Sequence, residues 1–264
     1  MSVYEGLGLQ NEYDIINDYY DIDEIDYSNN EEFKNKLTQQ LNECVSNESD
    51  MLKNMMRVSL ELFLFYLDEM GSNPNKFIDV INKSDYRIIK GNQEIIFQNI
   101  SLNRKIDSCA DMIDKNNIMN SCMKRYQDLV ENASKHLSLF MEMINVKSKT
   151  FKKEDINDTL YNKTNKLQSH EKLKWVLKLI NRGLRNKIGH FDAFYDFEKC
   201  VFRDDKKSII CTYSQFHQDN LNIGAFEYGF NASFQYLHLL YMKEYEFIQE
   251  YMYKVQDYIG VAIV

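Results

Sequence analysis

A single proline, Pro74, and nine glycines are spread through 264 residues. A chain with so few breakers has little means of making the frequent tight turns of an all-β fold, and long helices are the natural outcome. Good helix formers such as Leu, Lys, Glu and Met are plentiful. Hydrophobic residues make up 44% of the chain, enough to bury a core in one large domain or two small ones. The expected fold class is all-α.

Periodicity locates the elements. Phe33, Leu37, Leu41 and Val45 recur at four-residue steps. The stretch MLKNMMRVSLELFLFYLDEM, Met51–Met70, is apolar on most of its circumference and reads as a central, buried helix. Gly71 and Pro74 follow it as stop signals. Residues 75–145 read as two or three helices with a break at Gly91, the clearest being Cys122–Ile144. The polar, Lys-rich run 146–169 reads as a surface connection with room for a short helix. Beyond residue 190, two β-prone runs flank the polar turn Asp204–Lys207, so a small hairpin is expected over about 199–213. A final helix is expected over about 231–258.

The net charge of −8 conceals an uneven distribution. Residues 1–33 hold ten acids and no Lys or Arg, leaving 32 bases against 30 acids, a net of +2, for the rest. The chain is therefore read as an acidic segment over 1–33, solvated or regulatory, on a nearly neutral helical domain over 34–264. Such a body is compatible with a nucleic-acid partner. No positively charged leader is expected at the N-terminus, and no apolar run is long enough to span a membrane. Cys44, Cys109, Cys122, Cys200 and Cys211 are scattered and odd in number, which fits free thiols in a reducing compartment. The expected location is the cytoplasm.

The most informative stretch is LKWVLKLINRGLRNKIGHF, read as one helix over about 169–190. Stepping about 100° per residue from Leu173 gathers Val176, Leu177, Ile180, Leu184, Ile188 and Phe191 into an apolar stripe. Arg185, Asn186 and His190 fall outside it, and Asn186 and His190 are four residues apart, close enough to meet. Lys174, Lys178 and Arg182 follow at four-residue steps. Residues 172–191 carry six positive charges and no acid, a pattern suited to a phosphate backbone.

These residue types suffice for cleaving RNA, which carries its own nucleophile in the 2′-hydroxyl. Histidine transfers protons near neutral pH. Arginine clamps phosphate through its planar fork, and asparagine orients an imidazole or donates to a phosphate oxygen. No metal or other cofactor is required. An Arg–Asn pair followed after three further residues by His has a chance expectation of roughly 0.01 in a chain of this composition. That rarity separates it from a bare Arg-to-His spacing.

The same residues resemble the motif helix of HEPN-domain proteins, whose signature is Arg, four to six residues, then His, often with Asn after the Arg. Arg185, Asn186 and His190 match it. The resemblance implies an all-α HEPN-like bundle, here with a small β-hairpin after the motif helix. It also implies homodimerisation that brings two motifs together, and RNA cleavage by toxins, abortive-infection effectors or other defence ribonucleases. Members paired with a nucleotidyltransferase antitoxin carry tyrosine two residues after the histidine. This chain has Asp192 there, read as a possible support for the imidazole.

The resulting expectation is a metal-independent endoribonuclease in stress or antiphage defence. Arg185, Asn186 and His190 are assigned to catalysis, Lys174, Lys178 and Arg182 to RNA binding. Its expected partners are RNA, a second copy of the chain and an antitoxin or regulatory protein, with no membrane. Two rival readings are a catalytically silent HEPN scaffold or nucleotide-binding module, and a nucleic-acid mimic acting through residues 1–33. Of the other histidines, His136 and His238 read as packed within helices, His170 as a surface residue and His217 as unassigned. Glu154, Asp155 and Asp158 have no His or Cys nearby in sequence, so no metal site is expected.

Overall fold

The apolar stretch around residue 60 forms the helix that the others surround. A computed structural model describes residues 14–16, 18–19, 29–190 and 193–262, apart from the side chains of residues 85–87 and 190. In chain order the helices are α1 (Asn30–Asn47), α2 (Asp50–Met70), α3 (Pro74–Asp107), α4 (Met112–Lys147), α5 (Lys153–Ile156), α6 (Leu160–Leu167) and α7 (Glu171–Lys174). A 3₁₀ turn (Val176–Leu179) then leads into α8 (Arg182–His190). Strands β1 (Phe194–Asp196), β2 (Val201–Arg203) and β3 (Ile209–Thr212) precede α9 (Tyr213–Tyr241) and α10 (Tyr245–Ile259). The chain is thus mostly helical with one small antiparallel sheet.

Helix α2 is buried on nearly all sides. Val58, Leu60, Leu62, Phe63, Phe65 and Tyr66 are inaccessible or almost so, each stabilising the fold by about 1.5–3 kcal/mol relative to exposure. Its main neighbour is α9, and glycine sets their separation. A Cβ on Gly229 would fall 2.5 Å from Val58 Cβ and 2.6 Å from the Met55 carbonyl oxygen. Gly71, at φ +44°, stops α2, and Pro74 starts α3 at its first turn, where its missing N–H costs nothing.

Several elements differ from the sequence reading, each for a local reason. Gly91 does not break α3, which runs through it for 34 residues. Instead a Cβ there would lie 2.5 Å from Asn132 Oδ1 on α4, so this glycine admits a neighbour's side chain. The expected final helix is two helices. Glu244 N donates to the Leu239 carbonyl and Lys243 N to the Leu240 carbonyl, with Lys243 at φ +63°. This is a Schellman stop made without glycine. The expected hairpin is present as β2 and β3, and β1 adds a third strand in the order β1-β2-β3.

Helix α1 starts at Asn30, inside the segment assigned to the acidic lead. Asn29 Oδ1 caps it by accepting from Glu32 N at 3.3 Å, and Glu31 and Glu32 complement its dipole. Cys44, not Val45, completes its buried stripe, and Val45 is 48% exposed. Helix α10 holds α1 in place: Tyr251 Oη donates to the Leu37 carbonyl and Tyr258 Oη to the Cys44 carbonyl. Of the remaining acidic lead, residues 14–16, 18 and 19 are described. They are helical, with Ile16 buried and the Arg104 guanidinium 5.7 Å from the Tyr19 ring centre.

A polar trio lies inside the bundle. His136 Nε2 is 3.0 Å from Glu227 Oε2, and Asn132 Nδ2 donates to the same oxygen at 2.8 Å. His136 also stacks on Phe230 at 3.7 Å between ring centres, so it is packed, as expected, but packed against a carboxylate. Cys44, Cys109, Cys122, Cys200 and Cys211 are all free. No described helix is long and apolar enough to cross a membrane.

The close α2–α9 contact yields a direct test. Gly229→Ala gains helix propensity of about 1 kcal/mol but overpacks the contact. A net destabilisation of about 1–3 kcal/mol is expected, read as a lower denaturant midpoint with an unchanged slope.

Candidate functional site

The segment expected to be one helix from 169 to 190 is divided into α7, the 3₁₀ turn and α8. Ile180, at φ −100° and ψ 99°, is extended and ends the first part. Hydrophobic demand explains the division. On an unbroken helix Leu179 would point away from the stripe containing Leu173 and Leu177. In the folded chain Leu179 is only 7% exposed, and Leu173, Val176, Leu177 and Ile180 are buried as well. A tighter turn followed by one extended residue brings all five inward.

Asn181 restarts the chain as a helix. Its Oδ1 accepts from Leu184 N at 3.1 Å, as an N-cap does. Its Nδ2 donates to Asp219 Oδ2 at 2.9 Å, and its carbonyl accepts from Tyr126 Oη at 3.0 Å. Burial pushes the Asp219 carboxyl above its ordinary range, opposed by that Asn181 bond. Leu184 and Ile188 anchor α8 to the core, which fixes the rotation of the helix and hence the direction of Arg185 and Asn186.

Lys174, Lys178 and Arg182 consequently stand on three separate elements, and the continuous stripe expected of them does not exist. Lys174 and Lys178 are exposed. Arg182 turns into a cleft of about 430 Å³ shared with Arg185, Asn186, Glu131, Asp158 and Tyr161. Its Nη1 donates to the Tyr161 carbonyl and to Asn165 Oδ1, both at 3.0 Å, and its guanidinium stands 4.5 Å from the Tyr161 ring centre. These acceptors are neutral, so its positive charge is not cancelled by them.

Arg185 is held differently. Its Nη2 forms an ion pair with Glu131, and its Nη1 donates to Asn186 Oδ1 at 3.3 Å. Asn186 is exposed. A carboxylate from α4 therefore occupies the fork that a phosphate would use. Lys172 likewise has an acid close by: burial raises the Glu61 carboxyl above its ordinary range, opposed by Arg57 and, last, by the Lys172 charge. The acid-free run 172–191 is partly neutralised from other helices, which spacing along one segment could not reveal.

His190 ends α8, and its side chain lies outside the description. Asp192 also lies outside the described residues. Gly189 faces Gln127, whose Nε2 would be 3.8 Å from an added Cβ, so the backbone there has ordinary clearance. His217 is exposed and its ring lies parallel to Tyr213 at 6.0 Å. His238 meets Phe33 edge-on at 5.0 Å.

The opposite wall of the cleft is pinned by Lys166, whose Nζ is 2.7 Å from Asp155 Oδ1 and 2.9 Å from Asp158 Oδ2. These acids, left unassigned by the sequence, thus serve to fasten α5 to α6. His170, expected at the surface, instead places Nε2 at 3.1 Å from buried Glu69. Compared with known proteins, the chain matches no family model, no curated protein and no solved structure.

The pinned wall has a pH signature. Hydrogen bonds from Asn162 and then Lys166 hold the Asp158 carboxyl down at about 2, against an ordinary 3.8. A lowered carboxyl stabilises the fold above its unfolded value and loses that contribution as pH falls through the folded one. Stability from this group should therefore be complete above about 4 and fade towards about 2. Asp158→Asn should flatten that part of the acid limb in denaturation measured across the same range, without altering it above pH 5.

Proposed function

We propose that the chain is a metal-independent endoribonuclease of the HEPN type, working in the cytoplasm as a homodimer in stress or antiphage defence. The observation that carries this reading is the cleft beside α8. Two guanidinium groups, Arg182 and Arg185, meet there with Asn186, one turn before His190, and Arg182 is bonded to neutral acceptors. An arginine whose own hydrogen-bond acceptors leave its charge in place, in a concave, part-polar site that also holds Glu131 and Asp158, offers a phosphodiester a point of attachment.

In the reaction, a base removes the proton of the RNA 2′-hydroxyl, and the resulting oxyanion attacks the adjacent phosphorus. The P–O5′ bond breaks and the departing oxygen takes a proton from an acid. The products are a 2′,3′-cyclic phosphate and a 5′-hydroxyl. His190 from each of two copies supplies the base and the acid, while Arg185 neutralises the phosphorane-like transition state. Asn186 orients the guanidinium or the phosphate. Arg185 must exchange Glu131 for phosphate on binding, so the RNA competes with an internal carboxylate. Lys174 and Lys178, both exposed, guide the strand by charge.

The Glu131 ion pair favours one rival, a catalytically silent HEPN module that uses the cleft for binding alone. Incubating total RNA with wild type, His190→Ala and Glu131→Gln separates the two. The nuclease should produce cyclic-phosphate ends and lose at least about 100-fold in rate with His190→Ala. Glu131→Gln should bind RNA several-fold more tightly. Equal cleavage by wild type and His190→Ala, or none by any form that binds RNA, would leave the silent module. Sedimentation of the same samples should show a dimer.

A further inference from the structure

We propose that Asp68, Glu69 and His170 form a binding site for a first-row divalent cation, with Zn²⁺ the best fit to the donor set. The site is separate from the residues assigned to RNA and does not depend on that assignment. Ligand-capable atoms of these three side chains all lie within 4.8 Å of one another. One imidazole and two carboxylates are a common donor set for zinc and its neighbours.

Distance supports the assignment. Donors about 2.0–2.1 Å from a tetrahedral zinc stand roughly 3.3 Å apart. His170 Nε2 and Glu69 Oε1 are already 3.1 Å apart. Asp68 is about half exposed, so its side chain can exchange its ion pair with Lys147 for the cation and close the remaining gap.

Charge points the same way by an independent route. Asp68 and Glu69 sit in the last turn of α2, where no basic residue of that helix accompanies them. Carboxylates there face the negative end of the helix dipole, an unfavourable placement unless a cation is near. Glu69 is moreover only 4% exposed, and a buried carboxylate requires a counter-charge. Lys147 is a partial one. Its Nζ lies 3.0 Å from Asp68 Oδ1 and 3.2 Å from the Asp68 carbonyl oxygen. Lys147 is about half exposed and can swing into water when a divalent ion arrives. His170 is positioned for ligation by its edge-on contact with Phe65, 5.0 Å between ring centres.

His170 also precedes α7 directly. A cation bound here would tie the end of α2 to the start of the segment leading to α8, so its contribution is to stability and not to the RNA reaction.

Titration of the full chain with Co²⁺, followed by thermal melting with and without Zn²⁺, tests the site. One equivalent of Co²⁺ should bind with ligand-field bands and without thiolate charge-transfer absorption, and Zn²⁺ should raise the melting midpoint. His170→Gln and Asp68→Asn should each weaken binding at least 10-fold and abolish the Zn²⁺-induced rise. Lys147→Gln, which removes the competing ammonium, should tighten binding several-fold. Asp68 is exposed enough for its variant to fold even if the His170 variant does not. Absence of stoichiometric binding, thiolate bands, or affinity unchanged in Asp68→Asn would overturn the proposal. Because the readouts are binding and melting, an inactive nuclease with an intact metal site remains distinguishable from the reverse.

Discussion

The contact between α2 and α9 is so close that one methyl group at Gly229 would collide with Val58 and with the Met55 carbonyl. Close approach of two helices maximises dispersion contacts and excludes water from their shared face. The rest of the bundle is arranged around that pair. Helix α4 packs on both α2 and α9, α3 packs mainly on α4, and α10 crosses α2 to secure α1. Gly91 plays the equivalent role between α3 and α4 by leaving space for Asn132.

The polar groups taken inside with this core are constrained in turn. Glu227 is 2% exposed and shares one carboxylate oxygen with Asn132 and His136. Breaking such a group typically costs more than it contributes, because the surviving partner stays buried. Asn132 therefore links the Gly91 contact to the α4–α9 interface. A residue that appears from sequence to be an ordinary helix polar residue is in fact a junction between three helices.

The candidate RNA site inherits its geometry from the same packing. Leu184 and Ile188 fix α8 against the core, and Asn181 fixes where it begins. Arg182 and Arg185 then fall beside α4 and α6, where Tyr161 and Glu131 await them. The site is electrostatically balanced, not simply basic. Arg182 retains a charge its neutral acceptors do not cancel, while Arg185 is masked by a carboxylate. Under the proposed function, a phosphate would gain from the first at once and from the second only by displacing Glu131.

Helix class, the buried character of Met51–Met70, the stop at Gly71, the β2–β3 hairpin and the outward placement of Arg185 and Asn186 were all legible in the residues. Each follows from local periodicity or turn chemistry, which a chain carries with it wherever it folds. The breaks at Ile180 and Lys243, the added strand β1 and the uninterrupted course of α3 through Gly91 were not. Those depend on which side chains must reach the core and on what stands opposite each glycine. The pairing of Arg185 with Glu131, and of His170 with Glu69 across 101 residues, likewise required the fold. Sequence determined which segments are helical and which faces are apolar, because backbone propensity and side-chain period act over a few residues. Tertiary structure decided where the helices stop and which charges meet, because burial and Coulomb interaction act between segments that only packing brings together.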